Sequence, residues 1–166
     1  MYRNFSVLIM IVACLILISS MAMAQGVRTE KNITLALANE AASAAVETCL
    51  AKGWFVSAAV VDRSGVLKAL QRADGAGFHT VDAAKRKAYT SASMRNNTSA
   101  ILENIKNNPA SANLIQIDNF LILGGGMPIR AGDEVVGAIG VGGAPGGHLD
   151  DQCAEAAIAK IKERLK

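Results

Sequence analysis

The amino-acid sequence predicts an α/β domain of the α+β type, in which one antiparallel sheet is covered by helices. Three observations support this prediction. The first is helical periodicity near each end of the chain, and the second is a pair of β-rich segments joined by a short turn in each half. The third is their order: helix, two strands, two helices, two or three strands and a helix (α-β-β-α-α-β-β-(β)-α). Strands grouped in this way favour an antiparallel sheet over a doubly wound parallel sheet.

A long helix and a hairpin are predicted first. Small and apolar residues repeat at helical spacing over residues 31–52, and Gly53 follows as a candidate C-terminal cap. Residues 54–61 and 66–72 have the extended pattern of strands. Asp62-Arg63-Ser64-Gly65 between them has turn chemistry, so the two strands should form a hairpin.

Two helices are predicted next. A glycine-rich break at residues 73–77 ends the hairpin, and residues 80–95 are rich in alanine at helical spacing. Thr98 is a candidate N-cap for a shorter helix over residues 99–106, which Asn107-Asn108-Pro109 should end.

The last third predicts two or three strands and a closing helix. Extended patterns cover residues 120–123, 127–130 and 135–141, and Gly132-Asp133 offers a turn between the last two. Apolar residues then repeat at helical spacing over residues 149–165.

The N-terminus has the pattern of a secretory signal peptide. Arg3 precedes the apolar run 5–18, and the small-residue sequence Ala22-Met23-Ala24 follows it. The run is well short of the roughly 20 apolar residues that a membrane-spanning helix needs. We therefore expect residues 1–24 to be a signal peptide and residues 25–166 to form one domain that is periplasmic or secreted, with no stable membrane span.

Composition argues against nucleic-acid binding. The formal net charge is +3, and Arg3 is the only charged residue of the signal peptide, so its removal leaves an excess of two positive charges. Such a small excess gives no basic footprint, and aromatic residues, which stack on bases, are only 4% of the chain.

The cysteines leave alternatives open. Cys14 lies inside the apolar run, so we expect it to be removed, and a lipid anchor on it is the weaker interpretation. Cys49 and Cys153 remain, in predicted helices near the two ends of the domain. An exported protein allows a disulfide between them, but two small buried thiols are an equally simple interpretation.

Several motifs, taken together and in order, resemble the GlcG/HbpS haem-binding family, which includes the C-terminal domain of PduO-type proteins. They are Val60-Val61-Asp62-Arg63-Ser64-Gly65-Val66-Leu67, Arg72-Ala73-Asp74-Gly75-Ala76, Lys87-Ala88-Tyr89-Thr90-Ser91-Ala92, Gly124-Gly125-Gly126-Met127-Pro128-Ile129, Val135-Val136-Gly137-Ala138-Ile139-Gly140-Val141-Gly142-Gly143 and Asp150-Asp151-Gln152-Cys153-Ala154. The resemblance implies a five-stranded antiparallel sheet, homo-oligomerisation and, for several members, haem binding. It implies neither one iron ligand nor a reaction.

The candidate haem site lies around the second predicted helix. His79 is the candidate iron ligand, because neutral imidazole is a common axial donor. Phe78 or Tyr89 would cover a porphyrin edge. Arg86, with its neighbours Lys85 and Lys87, would supply cations for the propionates. The alternative is that His79 is solvated and that the basic residues form the solvent-exposed face of the helix.

The glycine-rich loop 142–147 is a second candidate site. Gly146, Gly147 and His148 lie just before the last predicted helix, where free amides and the helix dipole favour an anion such as a propionate or a small carboxylate. The alternative is that the glycines are needed only for the backbone conformation of the loop. No nucleophile or base has the spacing of a hydrolytic site, so no catalytic residue is assigned.

These observations predict an exported, non-enzymatic haem-binding protein for haem storage, scavenging or sensing, with haem as cofactor and a homo-oligomeric assembly. The alternative function is an enzyme or accessory factor that binds a small carboxylate metabolite at the glycine-rich loop, with Arg72 near the anion.

Overall fold

A four-stranded antiparallel sheet carries the fold in the computed structural model, which describes residues 26–166. Residues 31–166 form one unit, while residues 26–30 belong to a separate unit and are irregular. The predicted signal peptide, its cleavage after Ala24, and Cys14 lie outside the described residues. None of the helices within residues 26–166 is long and apolar enough to span a membrane.

The sheet has the order β2-β1-β4-β3. Its strands are β1 (Ser57–Asp62), β2 (Leu67–Arg72), β3 (Gly126–Ala131) and β4 (Glu134–Gly142). Two hairpins, β1-β2 and β3-β4, join through the antiparallel pairing of β1 with β4. The central strands β1 and β4 are buried almost throughout, because helices cover both faces of the sheet there.

Residues 26–166 contain four α-helices. They are α1 (Leu35–Leu50), α2 (Thr80–Met94), α3 (Thr98–Asn107) and α4 (Gly147–Ile161), and 3-10 turns cover Pro109–Gln116 and Lys162–Arg164. Helices α1 and α4 pack against each other on one face, and α2 packs across β1, β3 and β4. Val60 contributes to the core beneath α1 and α4, whereas Val61 contacts the core beneath α2. Because successive strand residues point to opposite faces, α2 lies on the opposite face.

Glycines allow α2 to lie directly on the backbone of the sheet. A Cβ atom at Gly140 would collide with the carbonyl oxygen of Ala84, and a Cβ at Gly126 would lie 2.5 Å from the carbonyl oxygen of Lys87. The small residues Ala84 and Ala88 on α2 complete this close contact. The alanine-rich pattern of residues 80–95 therefore reflects tight helix-to-sheet packing.

The structure corrects the prediction of a fifth strand: residues 120–123 form no strand, and the described part of the chain has four. Phe120 and Ile122 are buried in a small cluster with Ile101. The carbonyl of Phe120 accepts a hydrogen bond from Arg86 Nη2 (2.6 Å), and the amide of Leu121 donates to the Thr90 hydroxyl (2.8 Å). Side chains of α2, rather than a neighbouring strand, therefore satisfy these backbone groups.

Two predicted helix starts also differ from the structure. The amide of Ile33 donates to the carbonyl of Val136 on β4 (2.8 Å), so the chain stays extended until Thr34 caps α1. Thr98 is the first residue of α3 rather than its cap. Its buried hydroxyl accepts a hydrogen bond from the amide of Gly126 (2.9 Å), which a sequence pattern does not reveal.

Cys49 and Cys153 form a disulfide that joins α1 to α4, with their Cα atoms 5.7 Å apart. Both residues are fully buried. Of the two interpretations that the sequence left open, the structure has the disulfide. It links the first and last helices of the unit and so closes a chain segment with a sequence separation of 104 residues.

Removal of the disulfide should lower the free energy of unfolding by about 2–5 kcal/mol, because a long loop is then no longer constrained in the unfolded chain. We expect the double variant Cys49→Ala/Cys153→Ala to show this loss in urea unfolding. A reductant should lower the stability of the wild type to a similar extent and leave the variant unchanged. Equal wild-type stability with and without reductant would contradict the prediction.

Candidate functional site

The candidate site begins at the loop that joins β2 to α2. Arg72, the last residue of β2, donates from Nε to the carbonyl of Ala76 (2.9 Å) and so ties the loop to the sheet. Gly75 has a positive φ of 81°, which allows the tight turn there. The loop delivers His79 to the N-terminus of α2, where its side chain makes no capping hydrogen bond.

His79 lies on the wall of a cavity of about 280 Å³, which we call the His79 cavity. Its walls come from α2, the loop after β4, the start of α4 and the segment before β3. They consist of His79, Thr80, Ala83, Lys87, Leu123, Gly142, Gly143, Ala144, Gly147 and Asp150. A cavity of this size holds a small organic molecule or one edge of a larger one.

A buried ion pair forms part of this cavity wall. Lys87 Nζ lies 2.7 Å from Asp150 Oδ2, and the two side chains are only 5% and 4% exposed. Lys87 also donates to the carbonyl of Val141 (2.9 Å), while Asp150 Oδ1 accepts from the amide of Ala144 (3.0 Å). Each buried charge therefore has an opposite charge and a further hydrogen bond, as burial of ions requires.

Burial raises the pKa of the Asp150 carboxyl above its ordinary value. The positive charge of Lys87, its hydrogen bond and the amide of Ala144 act in the opposite direction, and the neighbouring carboxylate of Asp151 adds slightly to the rise. Loss of solvation is the largest of these effects. Asp150 therefore binds a proton more readily than an exposed aspartate does.

Asp151, the residue after Asp150, holds the segment before β3 in place at Gly125. Its Oδ1 accepts from the amide of Gly125 (2.5 Å), and its Oδ2 accepts from the hydroxyl of Ser99. Gly125 has a φ of 114°, and a Cβ there would lie 2.7 Å from Asp150 Cβ and 3.0 Å from Lys87 Nζ. Glycine is therefore required for the segment before β3 to close over the ion pair.

The imidazole of His79 packs against Gly77 and is exposed to solvent. A Cβ on Gly77 would lie 2.7 Å from His79 Cε1, so the missing side chain makes room for the ring. Phe78 is 88% exposed, and its ring meets the imidazole edge to face at a centroid distance of 6.2 Å. The structure thus brings Phe78 and His79 together at the mouth of the cavity.

The glycine-rich loop contributes Gly142, Gly143, Ala144 and Gly147 to the wall of the same cavity. Gly146 is the N-cap of α4, and His148 is exposed and does not line the cavity. The amide of Ala144 is already bonded to the Asp150 carboxylate. The protein thus places its own negative charge at this helix N-terminus, where an anion was expected.

Arg86 and Tyr89 face a different cavity, of about 210 Å³, which we call the Tyr89 cavity. Its walls consist of Val61, Gly65, Leu67, Asp82, Lys85, Arg86, Tyr89 and Asn119. The Tyr89 ring packs edge to face against Phe120 at a centroid distance of 6.1 Å.

His79 and Lys87 line one cavity, whereas Lys85, Arg86 and Tyr89 line the other. His79, Ala83 and Lys87 are spaced four apart and share one side of α2, whereas Arg86 and Tyr89, three residues apart, lie on another side. Lys87 is buried and is not part of a solvent-exposed face.

The pairing of Lys87 with Asp150 was not predicted from the sequence. A signal was available, because Lys87 falls within the stripe Ala84, Lys87, Ala88 and Ser91 that predicts the packed side of α2. Its partner, 63 positions further along the chain, has no sequence signal of its own.

Fold and site together define a small α+β ligand-binding domain, in which glycines close over a buried ion pair beside a cavity. The sequence model of one family, described as "Haem degrading protein HbpS-like", matches residues 33–159. The chain therefore belongs to the HbpS-like family, which confirms the resemblance found in the sequence. The family also supports the prediction of haem as the ligand.

The similar proteins agree with this assignment. An uncharacterized 15.0 kDa protein from the dhaT-dhaS intergenic region of Citrobacter freundii is 35% identical over 114 residues, which are 67% of this chain and 80% of that protein. A double mutant of HbpS from Streptomyces reticuli is 40% identical and has a TM-score of 0.78, with 84% of this chain and 94% of that chain covered.

A haem complex of PduOC is a more distant neighbour. It is 21% identical, with a TM-score of 0.69, and 77% of this chain and 94% of that chain are covered. At this identity the likeness shows a common fold.

The Lys87→Met variant should lose about 3–5 kcal/mol of stability, because it leaves Asp150 buried without its counter-charge. The double variant Lys87→Met/Asp150→Asn removes both charges and keeps an oxygen for the amide of Ala144, so it should recover most of the loss. Urea unfolding of the wild type, both single variants and the double variant measures the coupling energy. Additive losses would contradict a coupled buried pair.

The raised pKa of Asp150 also predicts a pH dependence. Between the ordinary carboxyl pKa and the raised pKa, the native state keeps the Asp150 proton while the unfolded chain has released it. The contribution of this proton to the free energy of unfolding is therefore complete below the ordinary carboxyl pKa. It is lost as pH rises through the raised pKa. The stability of the wild type should therefore fall relative to Asp150→Asn across this acidic window. Urea unfolding of both proteins at a series of acidic pH values measures the difference, and an opposite slope would contradict the raised pKa.

Proposed function

We propose that the chain is an exported haem-binding protein, which holds haem against the mouth of the His79 cavity with His79 as the iron ligand. The observation that carries the proposal is an exposed imidazole at a cavity, beside an exposed aromatic ring, in a member of the HbpS-like family. The proposed role is haem storage, scavenging or sensing.

His79 is the better candidate of the two histidines in the chain. Imidazole nitrogen is a common donor to haem iron. His79 lines the cavity, whereas His148 is exposed outside it. Bound haem would supply an iron centre, while Gly77 and the loop held by Arg72 orient the imidazole.

The apolar surface around the cavity fits a porphyrin face. Phe78 lies next to His79, and Leu123, which is 50% exposed, lines the cavity. Phe55 is 52% exposed, and its backbone carbonyl lies close to Gly143 on the cavity wall. Covering these side chains would remove apolar surface from water, which favours binding of a flat apolar ligand.

The charges favour haem over a small carboxylate inside the cavity. Lys87 is neutralised by Asp150, and the amide of Ala144 already has the same carboxylate as its partner. A small anion would therefore meet no net positive charge and few free donors. Arg72, which is exposed, would supply a cation for a propionate of the haem.

Export and assembly complete the proposal. The disulfide between Cys49 and Cys153 is of a kind that persists in oxidising compartments, which supports a periplasmic or secreted location. The cavity, of about 280 Å³, is too small to enclose a porphyrin, so we propose that a second copy of the chain completes the haem site in a homo-oligomer.

A haemin titration followed by absorbance tests the iron ligand. We expect a saturable Soret shift for the wild type. His79→Ala should change the spectrum and weaken binding by more than the roughly 10–100-fold that loss of an outer-shell partner costs at metal sites. The matched control His148→Ala should behave as the wild type.

Each other outcome changes the proposal in a defined way. A Soret shift that His79→Ala keeps unchanged removes His79 as ligand, and no saturable shift for the wild type contradicts haem binding. Because the family description names haem degradation, the loaded protein should also be treated with a reductant in air. Decay of the Soret band beyond that of free haemin would make the protein an enzyme rather than a carrier.

A further inference from the structure

The Tyr89 cavity lies between α2 and the β1-β2 hairpin, on a different side of α2 from the His79 cavity. Its volume of about 210 Å³ is larger than the roughly 150 Å³ of a cavity that binds benzene. It therefore has room for one six-membered ring with a small substituent.

The wall contains a buried donor without an acceptor. Nε of Arg86 is the one buried side-chain nitrogen or oxygen among the described residues that has no hydrogen-bond partner. The rest of the guanidinium is anchored, because Nη2 donates to the carbonyl of Phe120 (2.6 Å) and Nη1 lies 3.9 Å from Asp82 Oδ2. An unsatisfied buried donor is costly, so a shift of the partly exposed Arg86 side chain that brings Nε to an acceptor on a ligand would be favourable.

The remaining walls suit a flat apolar body. Val61 is buried and Leu67 is partly exposed, and both present apolar side chains. The Tyr89 ring packs against Gly65, where a Cβ would lie 2.7 Å from Tyr89 Cδ2. Gly65, with a φ of 82°, therefore lets the hairpin turn approach the ring without covering it with a side chain.

The polar groups at this cavity favour an anion. Lys85 and Arg86 carry two positive charges against the single negative charge of Asp82. Asn119 adds an amide, and its left-handed backbone conformation (φ 66°) is one that asparagine adopts more readily than most residues. The carboxylate of a ligand would complement the excess positive charge of Lys85 and Arg86.

We propose that the Tyr89 cavity is a second binding site, for a small organic anion with a flat ring, and that its carboxylate is recognised by Arg86 and Lys85. The site is separate from the proposed haem surface and does not depend on haem binding. Its occupant is a small aromatic carboxylate rather than a porphyrin, which is too large for this cavity.

Benzoate is the probe, and the ring signals of Tyr89 in proton NMR are the readout, since Tyr2 is the only other tyrosine in the chain. We expect a saturable shift of the Tyr89 signals with benzoate and none with the neutral analogue benzamide. Lys85→Gln and Arg86→Gln should each weaken benzoate binding about tenfold or more, the effect of losing one charge-assisted hydrogen bond.

The control variants separate this site from the rest of the molecule. Lys160→Gln removes an exposed cation on α4 and should leave benzoate affinity unchanged, and so should His79→Ala. Lys85 is exposed, so its variant remains informative if Arg86→Gln does not fold. No saturable shift of Tyr89, equal shifts with benzamide, or wild-type affinity in the Lys85→Gln variant would overturn the proposal, whatever the haemin titration shows.

Discussion

The buried ion pair between Lys87 and Asp150 is the interaction on which the arrangement of the site depends. It joins α2 to α4, and its further hydrogen bonds reach the end of β4 and the loop that follows. Removing two charges from water is costly, so the pair is tolerable only where every polar atom has a partner. The close approach that provides those partners requires glycine at 125, where a side chain would strike Asp150 and Lys87.

Helix α4 is fixed at two neighbouring positions near its N-terminus. Asp150 connects it to α2, and Cys153, one turn later, connects it covalently to α1. Helices α1 and α2 lie on opposite faces of the sheet, so α4 ties both layers together. This explains why the glycine-rich loop that leads into α4 can form a cavity wall. Its far end is held by an ion pair and a disulfide rather than by apolar contacts alone.

The two sides of α2 differ in the chemical groups that they offer to a ligand. One side offers an imidazole at a cavity surrounded by exposed apolar side chains, with its internal charges neutralised. The other offers an aromatic ring with an excess of positive charge and an unsatisfied guanidinium nitrogen. The first suits a large, mainly apolar ligand, and the second suits a small anion. The two proposed sites can share one helix because its side chains point in different directions along each turn.

The sequence by itself determined the class of fold, the order of the elements and the family, because periodicity, turn residues and ordered motifs are local properties of the chain. It also predicted His79 and Gly147 as site residues, and both line one cavity. Only the tertiary structure decided that residues 120–123 are not a strand, that Cys49 and Cys153 are bonded, and that Lys87 is buried against Asp150. These outcomes depend on which distant backbone and side-chain groups meet across the sheet. No spacing within the sequence encodes that directly, since hydrogen bonds and ion pairs are satisfied in three dimensions.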